Sequence, residues 1–264
     1  MNPYVSIIRP SVSLMSAVGA LVGALIAGAG FSVSLPCAIV AVFLISGGGV
    51  VLNDYYDIEI DKINAPHRVL PSGSMSKKAA ICYSIALFVL GLVFSYLANL
   101  YCLTLAALNV FLEFLYARNL KRTPLIGNAV DSWFVASTFL FGAMLTMNFG
   151  TVWMVSLLAF IANMGREIFG DIEDVAGDEK LGLKTLPIIS MRSAVITATA
   201  FIISAVILSF LPYVLGIFGL NYLLVVAVAD VLFIVSLFQK PRANQKTTKI
   251  AMFIALVAFL VGII

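Results

Sequence analysis

Most of this chain is taken up by apolar stretches about as long as a lipid bilayer is thick, which leaves few folds open to it. A bilayer core of about 30 Å needs roughly 20 apolar residues per spanning helix. Nine stretches near that length can be drawn, at 7–29, 35–55, 77–97, 100–117, 125–147, 151–170, 191–211, 220–238 and 247–264. They are continuously apolar and do not alternate with a period of two, which argues against a β-barrel. With 62% hydrophobic and 11% charged residues among 264, no soluble globular class fits. The expected fold class is all-α: a polytopic membrane protein with about nine transmembrane helices, forming one membrane-embedded domain over residues 1–264.

Charge predicts the orientation. All 16 Lys and Arg residues fall at Arg9, 57–78, 118–123, 166–192 and 239–249, and none in the gaps around 30–36, 97–102, 147–152 and 211–222. Positive residues gather on the cytoplasmic side of membrane proteins. The N-terminus is therefore expected inside and, nine crossings later, Ile264 outside. The net charge of +3 is spread over five juxtamembrane gaps with no basic arm, so no nucleic acid is expected as a partner, and no obligate protein partner is indicated. No cleavable signal peptide is evident, because Arg9 is followed by a span too long for the apolar region of one and no small-residue cleavage site is clear. Cys37, Cys82 and Cys102 form no C-x-x-C pair and read as buried packing thiols. His67 is the only histidine, which excludes a histidine-rich metal site.

Two gaps on the positive side are also acidic. Asp54-x-x-Asp57-x-x-x-Asp61 and Asp171-x-x-Asp174-x-x-x-Asp178 share the spacing i, i+3, i+7, and each is followed by a Leu-Pro step, Leu70-Pro71 and Leu186-Pro187. The repetition predicts a duplicated four-helix unit, spans 1–4 and 5–8, with a ninth helix appended. On a helix turning 100° per residue, such positions lie within an arc of about 60°. Each triplet thus forms one stripe, from which Glu59 and Glu173 fall away as solvated acids. At 4 Å and an effective dielectric of 20, two like charges cost about 4 kcal/mol, so the carboxylates must take up protons or bind a hard cation. Magnesium suits them, since it takes oxygen ligands and leaves positions for water and phosphate oxygens. Arg68 follows the first triplet, Lys180 and Lys184 follow the second, and Arg118, Lys121 and Arg122 close the fourth stretch. Arg forks and Lys ammonium groups are what a diphosphate requires beside its metal.

These residues resemble a known family. Asn53-Asp54-Tyr55-Tyr56-Asp57-Ile58-Glu59-Ile60-Asp61 resembles the N-D-x-x-D-x-x-x-D motif of the UbiA superfamily of intramembrane prenyltransferases. The run from Arg166 to Asp178 is similar to its second motif, and Tyr116 to Lys121 to its Y-S-x-x-L-K motif, with Ala117 in place of Ser. The resemblance covers the whole chain. Within the superfamily, the second motif and the short chain are most similar to enzymes of archaeal ether-lipid synthesis. The resemblance implies Mg2+-dependent transfer of a geranylgeranyl group from geranylgeranyl diphosphate to the free hydroxyl of geranylgeranylglyceryl phosphate. It implies metal ligands at Asp54, Asp57, Asp61, Asp171, Asp174 and Asp178, and substrate contacts at Asn53, Arg68, Tyr116, Lys121, Arg122 and Lys184. Arg9 is placed either near the chamber mouth or as an anchor of the first span. Arg68, Arg118, Lys121, Arg122, Lys180 and Lys184 are enough for two anionic groups, which favours a phosphate-bearing acceptor.

Two alternatives stand beside this reading. An aromatic prenyltransferase of the same superfamily would alkylate 4-hydroxybenzoate or a naphthoate. A cation-coupled transporter would hold its binding groups near mid-membrane in broken helices, whereas here they gather at one rim. Three acids lie inside spans, Glu113, Asp131 and Asp230, and ionisable groups there point first to function. Glu113 is one turn from Tyr116 and is expected to border the chamber. Asp131, with Asn128 nearby, fits a site or a structural pair equally, and Asp230 fits a packing role as well as any other. Tyr55, Tyr56, Phe114 and Tyr116 offer π faces to an allylic cation or sit as an interfacial belt. Gly19-x-x-x-Gly23 provides a close-packing surface for a neighbouring helix.

Overall fold

Side-chain caps punctuate the apolar runs. Ser76 accepts from the Ala79 amide, Asn99 from the Cys102 amide and Ser190 from the Ser193 amide, each opening a long helix. The structure, a computed structural model, describes residues 2–180 and 182–263 as helices and turns, with no strand among them. The long helices are α1 (Pro10–Ile26), α2 (Ser34–Tyr56), α3 (Lys77–Ala98), α4 (Leu100–Arg118), α5 (Ile126–Ala143), α6 (Val152–Lys180), α7 (Met191–Ser209), α8 (Leu220–Ser236) and α9 (Pro241–Ile263).

Each of the expected stretches holds one of these helices, but by length and apolarity six helical segments are able to cross a membrane. Helices α1 and α8 have 17 residues each, and α5 carries Asn128 and Asp131 within its 18. Two boundaries differ from expectation. Helix α6 runs on past residue 170 to Lys180, so the second aspartate triplet is helical throughout. Helix α9 opens at Pro241 rather than near 247, which makes its first two turns polar.

The pairing of helices repeats. In one half α1 packs on α2, α2 on α3 and α3 on α4; in the other α5 packs on α6, α6 on α7 and α7 on α8. Helix α1 joins the halves by packing on α5, and α9 lies against α8, α6 and α1. The α1–α5 crossing is close because glycines face it. A Cβ at Gly23 would stand 2.0 Å from the Phe139 carbonyl oxygen, and one at Gly142 would stand 2.0 Å from that of Ala20. Side chains such as Val89, Val93, Ile207 and Val231 face outward, as a lipid-facing surface requires. Cys82 is among the exposed residues, because the inner face of α3 is taken up by α2; Cys102 is buried and Cys37 half-buried.

Candidate active site

The chain breaks where the first triplet ends α2. Asp54 stands in the last turn of α2, Asp57 at the joint (φ −93°, ψ 6°), and Asp61 in a short helix, Ile58–Asn64. The first triplet is therefore not one helical stripe. All three carboxylates are buried, and each is met by a cation from a different segment. Arg9 bonds to Asp54, Lys121 to Asp57, and Arg68 Nη1 to Asp61 Oδ1 at 2.5 Å, with Asp54 Oδ1 a further contact at 3.9 Å. Arg9 reaches its partner from a left-handed conformation (φ 46°) just before Pro10, a residue that disfavours a helical neighbour on its N-terminal side. Lys121 comes from the 3₁₀ turn Leu120–Arg122 after α4. Burial opposes its charge, but the Asp57 carboxylate outweighs this and holds its pKa above the ordinary lysine value. Arg68 is shifted the same way: burial opposes, and Asp61 and Asp54 prevail.

The second triplet does form a stripe, along the end of α6. Asp171 accepts from Asn128 Nδ2 at 2.8 Å, Asp178 is buried, and Asp174 is exposed. Small side chains let the two motifs meet. Asn64, at the end of the short helix, lies on Gly177, and its amide donates to the Asp174 carbonyl at 3.4 Å.

All six aspartates line one cavity of about 820 Å³, together with Arg9, Asn53, Arg68, Glu113, Tyr116, Lys121 and Arg122. Lys184 is not brought there. It lies exposed in a non-helical stretch whose flanking residues, Leu183 and Thr185, face the cavity instead. Arg118 and Lys180 also point outward. Glu59 is exposed and paired with Lys62 at 2.8 Å, while Glu173 is exposed at the cavity rim.

Deeper polar groups separate into satisfied and unsatisfied ones. Asp131 accepts from Asn163 Nδ2 at 2.9 Å, and Asp230 from Ser209 Oγ at 2.8 Å. Glu113 is buried, its Oε2 has no hydrogen-bond partner, and its carboxyl occupies space that a Cβ at Gly49 would fill, 2.4 Å from Oε1. Of the four aromatics picked out in the sequence, Tyr116 alone faces the cavity, edge-on to Phe134 at 5.8 Å.

Three acidic side chains do not converge on a single point among the described residues, since the first triplet is turned toward its basic partners. The donor set is nonetheless of hard oxygens, and two of them, Asn53 Oδ1 and Asp61 Oδ2, are buried without any donor. Such orphaned acceptors beside carboxylates fit an oxygen-seeking cation. Cavity residues that the sequence did not single out are Asn163, Arg242, Gln245 and Lys249, together with Arg166, which was noted there only as part of the second motif.

A helical membrane bundle with a charged rim over a chamber of mixed lining, in which apolar side chains such as Phe134, Leu256 and Phe259 take part, is suited to molecules with an anionic head and an apolar tail. Residues 16–261 match the UbiA prenyltransferase family, and the chain belongs to it. It is accordingly a multi-pass membrane enzyme that transfers prenyl groups, which removes the transporter reading. The chain is 40% identical over 272 residues to the digeranylgeranylglyceryl phosphate synthase of Methanopyrus kandleri, with 100% of each chain covered. To that of Thermococcus kodakarensis it is 39% identical, over 98% of this chain and 97% of the other. A solved structure of a digeranylgeranylglyceryl phosphate synthase superposes with a TM-score of 0.77 at 36% identity, covering 99% of this chain and 97% of that one. A UbiA homologue from Archaeoglobus fulgidus, bound to GPP and Mg2+, shares the fold with a TM-score of 0.75 at 16% identity over 99% of each chain.

Proposed function

We propose that this enzyme moves a geranylgeranyl group from geranylgeranyl diphosphate to the free hydroxyl of geranylgeranylglyceryl phosphate, at a site facing the cytoplasm of the cell membrane. The observation that carries the proposal is the end-to-end identity of 36–40% to synthases bearing that name, in a chain whose cavity holds both aspartate motifs. Breaking the allylic C–O bond leaves negative charge on the diphosphate and positive charge on the prenyl carbon. Mg2+, held by carboxylates drawn from Asp54, Asp57, Asp61, Asp171, Asp174 and Asp178, would supply Lewis-acid neutralisation of the leaving group.

The chain's own residues do the rest. Arg68 and Lys121 carry fixed positive charge at the rim, and Arg122 lines it without an acidic partner among the described residues. These cations favour charge that builds on the departing oxygens, which is where preorganised groups contribute most. Tyr116 and Phe134 offer ring faces to the prenyl cation, a contact worth about 0.5–2 kcal/mol per ring. Away from the charged rim, Phe134, Phe139, Leu256 and Phe259 line the chamber, and apolar walls of this kind limit access of water that would quench the cation. As the acceptor oxygen bonds to the prenyl carbon it must lose a proton, which the departing diphosphate can take up, while Glu113 borders the chamber with one carboxyl oxygen free to bond the acceptor.

The test is a product assay with labelled geranylgeranyl diphosphate, Mg2+ and a panel of acceptors. The doubly alkylated glyceryl phosphate ether is the expected product. Prenylation of 4-hydroxybenzoate or a naphthoate, with no reaction at geranylgeranylglyceryl phosphate, would replace the lipid acceptor by an aromatic one.

A further inference from the structure

Helix α9 carries a third stripe with the aspartates' spacing, made of donors instead of carboxylates. Arg242, Gln245 and Lys249 stand at i, i+3 and i+7, and all three line the cavity. Helix α6 adds Arg166 to the same wall. Gln245 Nε2 donates to the Arg166 carbonyl at 2.7 Å, fastening the first turns of α9 to α6. The Arg166 guanidinium bonds to Glu167 and, at 3.3 Å, to Asn163 Oδ1, yet its Nε is buried without a partner. Arg242 and Lys249 form no ion pair among the described residues.

The two basic groups of the cavity differ in what they already hold. Arg9, Arg68 and Lys121 are each bonded to an aspartate of the first triplet. The wall formed by α9 and α6 brings three cations, Arg166, Arg242 and Lys249, against Glu167 and the neighbouring Asp131, and neither carboxylate pairs with Arg242 or Lys249, so positive charge is in excess there. An arrangement of that kind is stabilised by an anion. Further along α9 the cavity-facing stripe turns apolar, through Met252, Leu256 and Phe259. One helix thus offers cations near the rim and an apolar track beyond them, the polarity of a phosphorylated lipid with one prenyl chain.

We infer that Arg166, Arg242, Gln245 and Lys249 form the phosphate site of the acceptor, whose chain lies along α9, while the diphosphate of the donor is served by Arg68, Lys121 and Arg122. The inference rests on the lipid acceptor proposed above and assigns its head group a place. Arg118, Lys180 and Lys184, expected at the rim, are exposed and do not line the cavity, and Arg242 and Lys249 of α9 bring positive charge there instead. A carboxylated aromatic acceptor would bring these cations a single negative charge, whereas a phosphate monoester brings about −1.5 to −2.

The experiment uses the full-length protein in neutral-lipid nanodiscs and the double variant Arg242→Gln/Lys249→Gln, whose altered side chains are exposed at the cavity edge. KM for geranylgeranylglyceryl phosphate should rise by roughly ten- to a hundredfold, as for lost hydrogen bonds to a charged group. KM for geranylgeranyl diphosphate should move far less, and the parent's preference for the phosphorylated acceptor over geranylgeranylglycerol should disappear. An unchanged acceptor KM, or an equal rise for the diphosphate, overturns the inference while leaving the lipid acceptor standing. If the parent enzyme makes no product from the phosphorylated acceptor, the acceptor reading itself fails, and this inference with it. Free glycerol phosphate should compete with the acceptor in the parent and lose that ability in the variant. Inhibition by anionic nanodiscs that the variant relieves would instead give the cluster to bulk lipid and overturn the assignment.

Discussion

Asn64 rests its carboxamide on Gly177, where a Cβ would lie 2.5 Å from both Nδ2 and Oδ1. This contact is the seam between the short helix that carries Asp61 and the helical stripe that carries Asp171, Asp174 and Asp178. Gly177→Val should push Asn64 away and part the two motifs, with little effect on the apolar core, since the contact is polar and near the rim. A displacement of about 1 Å at a catalytic constellation can cost on the order of 100-fold in rate. Turnover of Gly177→Val should therefore fall by ten- to a hundredfold with a melting midpoint close to the parent's, and Gly177→Ala should fall less. Parental turnover in Gly177→Val would show that the seam does not position the aspartates.

The ion pair between Asp57 and Lys121 ties the joint after α2 to the turn after α4. Asp57→Asn and Lys121→Met should each lower diphosphate release by roughly 100- to 1000-fold, the cost of about 3–4 kcal/mol of transition-state stabilisation. Because the two groups act on one another, the double variant should be little worse than the worse single one. Losses that multiply would mean that the residues act independently. A chelator should abolish activity in the parent, and full activity in its presence would remove the metal from the mechanism.

The aspartate spacing was legible because a helical stripe imposes it, and α6 carries its triplet as expected. The break at Asp57 was not, since Asn53-Asp54-Tyr55-Tyr56-Asp57-Ile58 contains neither Gly nor Pro to mark it. Periodicity also says nothing of partners far apart in the chain, such as Arg9 with Asp54 or Asn64 with Gly177. Proximity to Asp178 in the sequence places Lys184 at the site, but residues 182–184 are not helical and the Lys184 side chain is exposed. The α9 cations fall in the 239–249 gap between apolar stretches because a hydropathy window ends where polar residues begin. A helix whose polar face lines a cavity fails that criterion, although Pro241 at its first position is a helix-start signal.

Gly23 and Gly142 let α1 and α5 approach until backbone meets backbone, and that crossing joins the two halves of the molecule. An added methyl at either position would meet a carbonyl oxygen of the partner helix, which cannot rotate away as a side chain can. Gly23→Ala and Gly142→Ala should each destabilise the fold by about 1–3 kcal/mol or more, the usual cost of overpacking. Gly28, which has nothing within 4 Å of the Cβ position, serves as a comparison for space, although its positive φ (80°) adds backbone strain on substitution. The measurement is denaturant unfolding in detergent; unchanged midpoints for both crossing variants would show that the helices separate at no cost.

The orientation in the membrane can be tested at three positions that the fold already relates. Ser72 and Lys180 belong to the two segments that meet at Asn64 and Gly177, so both must lie on one side. Asn148 lies in the turn before α6, whose 29 residues span about 43 Å, more than the roughly 30 Å of a bilayer core. That turn therefore emerges on the other side. Which side is cytoplasmic follows from positive charge: Lys62, Arg68, Lys77 and Lys78 stand near the first of these segments, and no Lys or Arg stands near Asn148. Single cysteines at 72, 148 and 180, in a protein freed of its native thiols because Cys82 is exposed, should give a simple pattern with an impermeant maleimide on intact cells. Position 148 should react, while 72 and 180 should react only after the membrane is opened. Labelling of 72 and 180 from outside would reverse the orientation, and labelling of the two from different sides would contradict the fold itself.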